Sequence, residues 1–257
     1  MKKIMLFSLL IVGSSFAEDV PPIGYSDTPK LPHVDWKVHD IDRPRPEYVK
    51  PAELPTQAPA DAIVLFDGTD LSNFIGPKGA APGWKVEDGY MEIVKGGDLY
   101  TKEHFGSCQL HIEWRSPTPT QSSSQKRGNS GVFFMDQYEI QVLDCWENLT
   151  YADGMAGGLY GQYPPLVNAV KETGGWNYYD IIFTAPKWAD GKIASKAYVT
   201  VLLNGVLVQN HNELLGPTRH KAVANYDKPH AEKGPIRLQD HKDNQAVRFR
   251  NMWVRPL

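Results

Sequence analysis

The segment GPIRLQDH, Gly234–His241, followed after five residues by VRFRNMWVRP, Val247–Pro256, reads as two strands around a polar turn. Polar and apolar residues alternate along both, which is the period of a strand with one face buried. In the first strand Ile236, Leu238 and Asp240 fall on one face and Arg237, Gln239 and His241 on the other. A polar trio therefore sits where a sheet surface can meet a ligand.

Working upstream, similar short runs recur from Asp61 onward: AIVLF, WKVEDGYMEIV, CQLHIEWR, GVFFMDQYEIQVLD, YYDIIFTAP and AYVTVLLNGVLVQN. Asn204-Gly205 and Asp88-Gly89 are dipeptides that favour two-residue hairpin turns, and each lies between two such runs. No long helical period competes. The expected fold is all-β, a sandwich or jelly roll of short antiparallel strands.

Two central strands also carry polar faces. In CQLHIEWR, His111, Glu113 and Arg115 oppose Cys108, Leu110, Ile112 and Trp114. In YEIQVLD, Glu139 and Gln141 share a face while Ile140 and Val142 point the other way. If these strands are neighbours, Glu113, Glu139, Gln141, Gln239 and His241 line one concave surface.

Composition narrows the function. The chain is 41% hydrophobic and 22% charged with a net charge of -3, so it lacks the basic stripe that a nucleic-acid partner requires. Residues 1–17 combine Lys2 and Lys3, an apolar run Ile4–Val12, and Ser15 and Ala17 at small-residue cleavage positions, the pattern of a signal peptide. That run is shorter than the roughly 20 residues a membrane span needs, so no transmembrane segment is expected and the product is periplasmic or secreted. Residues 18–60 are interrupted by Pro21, Pro22, Pro29, Pro32, Pro44, Pro46, Pro51, Pro55 and Pro59, an extended leader ahead of one domain at 61–257. Its His33, Trp36 and Tyr48 either pack along the domain, reach a neighbouring subunit, or belong to a partly ordered spacer. Export permits a disulfide between Cys108 and Cys145, and two small buried thiols are the alternative.

The ordered set LFDGTDLSNF (Leu65–Phe74), HIEWR (His111–Arg115), GNSGVFF (Gly128–Phe134), YEIQVLD (Tyr138–Asp144), GGLYGQYPP (Gly157–Pro165), GGWNYYDI (Gly174–Ile181), LNGVLVQ (Leu203–Gln209) and the C-terminal pair resembles the 3-keto-disaccharide hydrolase family. The resemblance covers Asp61–Leu257. It implies a concanavalin-like jelly roll acting on glycosides whose glucose ring carries a ketone at C3. Such a ketone acidifies the C2 hydrogen, so a base can form an enolate that expels the C1 oxygen, and hydration completes a net hydrolysis. An oxidoreductase that installs the ketone is implied upstream.

For that chemistry Glu113, Glu139 and His241 are the candidate catalytic groups. Arg115, Asn129, Gln141, Trp176 and Gln239 are candidates for holding the sugar or the oxyanion. A divalent metal could polarise the ketone, although no HExxH or paired CxxC signature is present, and nothing calls for a nucleotide cofactor. Asn129 in GNSG equally suits a turn, and Asp144 a cap on a bend. His33, His39, His104, His211 and His220 carry no assignment. A noncatalytic carbohydrate-binding jelly roll is the alternative, and a direct glycosidase using Glu113 with Glu139 is a third reading.

Overall fold

The computed structural model describes residues 21–48, 57–94, 96–120, 122–242 and 246–257, so the signal-peptide reading of residues 1–17 falls outside the described chain. Within it the first strands are β1 (Ile63–Phe66), β2 (Phe74–Ile75), β3 (Lys85–Glu87), β4 (Tyr90–Glu92), β5 (Leu99–Phe105), β6 (Cys108–Arg115), β7 (Ser130–Phe134) and β8 (Tyr138–Val142). They are followed by β9 (Asn177–Thr184), β10 (Lys187–Ala189), β11 (Lys192–Ser195), β12 (Tyr198–Leu203), β13 (Val206–Glu213), β14 (Gly234–Leu238) and β15 (Arg248–Pro256).

Two antiparallel sheets make a jelly-roll sandwich. The large one runs β13-β12-β9-β6-β15-β4-β3 with β1 also paired to β15, and the small one runs β2-β5-β14-β7-β8. The period of two drives the stacking. Val132, Phe134, Ile140, Val142, Ile236 and Leu238 of the small sheet face Leu110, Ile112, Trp114, Tyr179, Ile181, Phe183 and Phe249 of the large one in a single core. Phe134 stacks on Phe183 across the interface with ring centres 4.7 Å apart. Each such side chain contributes roughly 1.5–3 kcal/mol on burial.

Both expected hairpin turns form, with Asp88-Gly89 and Asn204-Gly205 at positive φ. A third tight turn, Met135-Asp136 between β7 and β8, also has φ of 54° and 58°, a left-handed pair built without glycine. In the GNSG motif it is Gly128 that takes the left-handed turn position, with φ of 60°, whereas Asn129 does not.

Residues 21–48 of the leader form a packed strap. Tyr25 pairs with Asp40 and Lys30 with Lys37, folding residues 25–40 back on themselves, and Leu31 and Val38 are fully buried. Gly24 lies so close to the chain that an added Cβ would come within 2.5 Å of the Ile41 Cα. Trp146 meets Tyr48 edge-on at 5.2 Å. Arg45 Nε donates to the Thr150 carbonyl at 2.5 Å, and the His39 amide and Nδ1 each bond a carboxylate oxygen of Asp153 at 2.9 Å.

Cys108 and Cys145 are separate, buried, free thiols, so no disulfide stiffens the wall beside β8. Burial pushes both thiols up to about 12. Reductant should therefore leave the melting temperature unchanged, and iodoacetamide should label neither cysteine in the native protein but both after denaturation without reduction. A protein that needs reduction before labelling would contradict this arrangement.

Candidate functional site

On the small sheet, the residues that alternate with the core point outward and floor a pocket of about 480 Å3. Phe133 from β7, Glu139 and Gln141 from β8, and Gln239 and His241 beyond the end of β14 all line it. Their neighbours Ile140, Val142, Ile236 and Leu238 are fully buried on the other face. Gly131 keeps room for the acid: a Cβ there would lie 2.6 Å from Glu139 Oε1.

Loops supply the walls. Gln125, Lys126 and Asn129 come from the long loop between β6 and β7, and Tyr151 and Tyr160 from the segment after β8. Asn129 Nδ2 donates to the Gln125 carbonyl at 2.7 Å, so this loop shapes the rim as an amide cluster. Gln141 Nε2 lies 3.0 Å from Gln125 Oε1, and turning the Gln141 amide over instead directs its NH2 to Glu139 Oε1 at 3.1 Å. Gln239 Oε1 is buried without a hydrogen-bond partner, an acceptor that a sugar hydroxyl would satisfy.

Thr218 and His220 complete the wall, because the chain after β13 is clamped from both sides. Gln162 accepts the Leu215 amide and donates to the Gly216 carbonyl, and Thr218 Oγ1 accepts the Glu139 amide at 3.0 Å. Tyr151 and Tyr160 hydroxyls are 2.7 Å apart, and Tyr160 is 2.9 Å from His220 Nδ1. His220 is the residue that strand reasoning passed over. It lies in an irregular segment with no periodic signal, and only its proximity to Gly216 and Pro217 marks a loop.

The electrostatics single out Glu139. Burial pushes its carboxyl up to about 8, with Arg237 exerting a smaller opposite pull. Arg237 lies 3.5 Å above the Phe133 ring and is engaged by Asp98 and Asp136, which limits that pull. His220 is lowered by burial and by the neighbouring His39, Lys221 and His241, and so is predominantly neutral at pH 7.

The single concave surface expected from sequence is not formed, because β6 and β8 belong to different sheets. Glu113, Arg115 and Trp176 lie on the outer face of the large sheet, across the sandwich from Glu139. There Glu113 bonds Arg250 Nε at 2.7 Å and Asn251 Nδ2 at 2.8 Å, with Asn251 reaching in from a bulge at φ of 43°. Burial alone would raise Glu113, but hydrogen bonds from His111, Asn251 and Arg250 outweigh it and hold the carboxyl at about 2. Arg115 and Arg250 both lie over the Trp176 ring, at 4.8 and 4.1 Å, while Arg115 and Arg248 share Tyr90. These three residues are parts of an ion-pair and cation–π lattice, far from the pocket. Asp144 instead ties Arg127, Thr173 and the Trp146 amide together as the cap of a bend.

Among the described residues no group of three His, Cys, Asp or Glu side chains is placed to hold a metal ion. The chemistry within reach of the pocket's own groups is proton transfer by Glu139 and the histidines, with amides as hydrogen-bond donors. No described helix is long and apolar enough to cross a membrane.

Fold and pocket together define a jelly roll with a buried acid, amides and histidines on the outer face of its small sheet. The chain is a member of the 3-keto-alpha-glucoside-1,2-lyase-like domain family, which it matches over residues 61–255. Three solved structures from Parabacteroides distasonis ATCC 8503, each described as a "putative glycosyl hydrolase", share its fold. One is 45% identical with a TM-score of 0.76, covering 84% of this chain and 93% of that one. The other two are 22% and 20% identical with TM-scores of 0.56 and 0.54, each covering 76% of this chain and 99% and 94% of theirs. No functionally curated protein matches the chain significantly. The family and the 45%-identical structure make this a carbohydrate-active, glycoside-acting enzyme.

Because the folded state holds the Glu139 proton up to about 8, its contribution to stability is complete at acid pH and is lost as pH rises through that value. Glu139→Gln should therefore match the wild type near pH 4 and exceed it at pH 9, by an amount of order a few kcal/mol in urea unfolding. A pH-independent difference would show that Glu139 is not a buried acid.

Proposed function

We propose that the protein is an exported hydrolase or lyase of 3-keto-glycosides, with the small-sheet pocket as its active site. The observation that carries this reading is the buried Glu139 carboxyl, lifted to about 8 in a pocket lined by amides and two histidines. A carboxylate of that basicity suits removal of a C2 proton made acidic by a ketone at C3.

The sequence of steps uses groups this pocket contains. Glu139 takes the C2 proton, and the electron pair left behind forms an enolate whose oxygen accepts a hydrogen bond from the Gln239 NH2, because the NH2 groups of Gln125, Asn129 and Gln141 already donate within the protein. Collapse of the enolate breaks the C1–O bond, and the departing oxygen takes the proton that Glu139 received, which restores the carboxylate. Water then adds to the enone at C1. The buried Gln239 Oε1 accepts a ring hydroxyl. Direct glycoside hydrolysis needs two carboxyl groups flanking one bond, and Glu113 and Glu139 occupy opposite faces of the sandwich. The substrate's ketone implies an oxidoreductase acting earlier on the same sugar.

The test is turnover of methyl 3-keto-α-glucoside and of the unoxidised glucoside, with released methanol measured across pH. Only the keto form should be cleaved, with kcat/KM rising through about pH 8 as Glu139 ionises. Glu139→Gln should lower kcat by roughly 100-fold or more, the usual scale for losing a general base. Glu113→Gln should leave turnover within about twofold while costing about 1–3 kcal/mol of stability through its unpaired arginine. Cleavage of the unoxidised glucoside, or full activity of Glu139→Gln, would sink this mechanism. A chelator arm reads whether a divalent ion takes part.

A further inference from the structure

Two side chains that line the pocket, Pro22 and Tyr25, come from the strap that precedes the sandwich. The strap is fixed at that place by contacts distant in sequence. The Pro22 carbonyl accepts Ser124 Oγ at 2.9 Å, Arg45 reaches Thr150, and His39 grips both oxygens of Asp153, 114 residues away. Tyr25 itself is held from the strap's return limb, its amide donating to the His39 carbonyl at 2.8 Å and its carbonyl accepting the Ile41 amide at 3.2 Å. Behind it the His39 ring packs 4.2 Å from Tyr151 and 4.9 Å from Tyr160, so strap and tyrosine wall form one unit. Lys221 Nζ lies 3.6 Å from the centre of the Tyr25 ring.

That is more construction than a spacer needs. A strap that only protected the sandwich would bury its aromatic ring against apolar core, whereas Tyr25 stays half-buried and lines the pocket that holds Glu139, Gln141 and Gln239. We propose that the strap is a working wall of the sugar site, with Tyr25 a substrate-contacting residue that turns an open sheet face into a pocket for small glycosides. The proposal rests on the reading of the pocket as a keto-glycoside site. A tyrosine suits this position because its ring meets the C–H face of a pyranose and its hydroxyl meets a sugar hydroxyl. The volume of about 480 Å3 lies within the range of small-molecule sites rather than polymer grooves.

The experiment compares the full chain with Tyr25→Phe, Tyr25→Leu and Tyr25→Ala, using methyl 3-keto-α-glucoside as probe in both calorimetry and turnover. Tyr25→Leu and Tyr25→Ala should raise Kd and KM about tenfold, equivalent to about 1.4 kcal/mol, with kcat within about threefold. Tyr25→Phe should recover most of the affinity because it keeps the ring. Melting temperature reports folding, and if Tyr25→Ala unfolds, Tyr25→Leu decides. Wild-type Kd and KM in Tyr25→Leu would overturn the strap's role while leaving the active-site reading intact. If the wild type binds the probe without cleaving it, the hydrolytic reading fails and the Kd series still decides the strap. A wild type that does not bind the probe at all overturns both.

Discussion

A β-strand shows alternate residues to opposite faces, and the small sheet has to keep one face dry while the other is wet. Strand β8 meets both demands within five residues: Ile140 and Val142 enter the core, and Glu139 and Gln141 enter the pocket. Everything at the site depends on this. The floor cannot shift by one residue without driving a carboxyl into the sandwich, so register and reactivity are fixed by the same pleat. The edge position of β8 adds the other half, because its free side accepts the Gly157–Leu159 segment that carries the chain on to Tyr160.

Two buried glutamates show how environment divides one residue type into two roles. Glu113 is surrounded by donors, His111, Arg250 and Asn251, and is pinned as an anion. Glu139 is equally hidden, yet the cation that acts on it, Arg237, is already engaged by Asp98 and Asp136, and so it keeps its proton to high pH. A group that titrates near neutrality can exchange protons with a substrate, whereas a permanent anion in a lattice of arginines holds strands together. Burial alone would not separate them. The count and prior commitments of the nearby charges do.

The sequence revealed the strands and their faces well, because alternation is a local property and two of the tight turns carry glycine. It did not reveal which strands are neighbours. Strand β14 sits between β5 and β7, a pairing that depends on contacts more than 100 residues apart, and that order is what sends Glu113 and Glu139 to different sides. The turn at Met135-Asp136 was hidden by its lack of glycine, and β5, with the run LYTKEHF, by its exposed charged middle. Gln141, Gln239 and His241 were legible as pocket residues because each interrupts or ends a periodic run, whereas Asn129 stood in a GNSG turn that carries no such signal. His220 and Tyr25 were not, since irregular segments have no period and their placement comes from hydrogen bonds to distant loops.

The position of β15 in the large sheet has a consequence for how the chain is made. The last strand is not an edge but lies between β6 and β4, and it also pairs with β1, the first strand of the domain. A chain emerging from its amino end can form the β7–β8 and β12–β13 hairpins early, but the large sheet stays split until Arg248–Pro256 arrives. Contact order is therefore high, and closure of the large sheet waits on β15. Such a topology suits any route that threads the chain through a membrane in extended form, because an unfinished polypeptide cannot lock into a sandwich before it has passed.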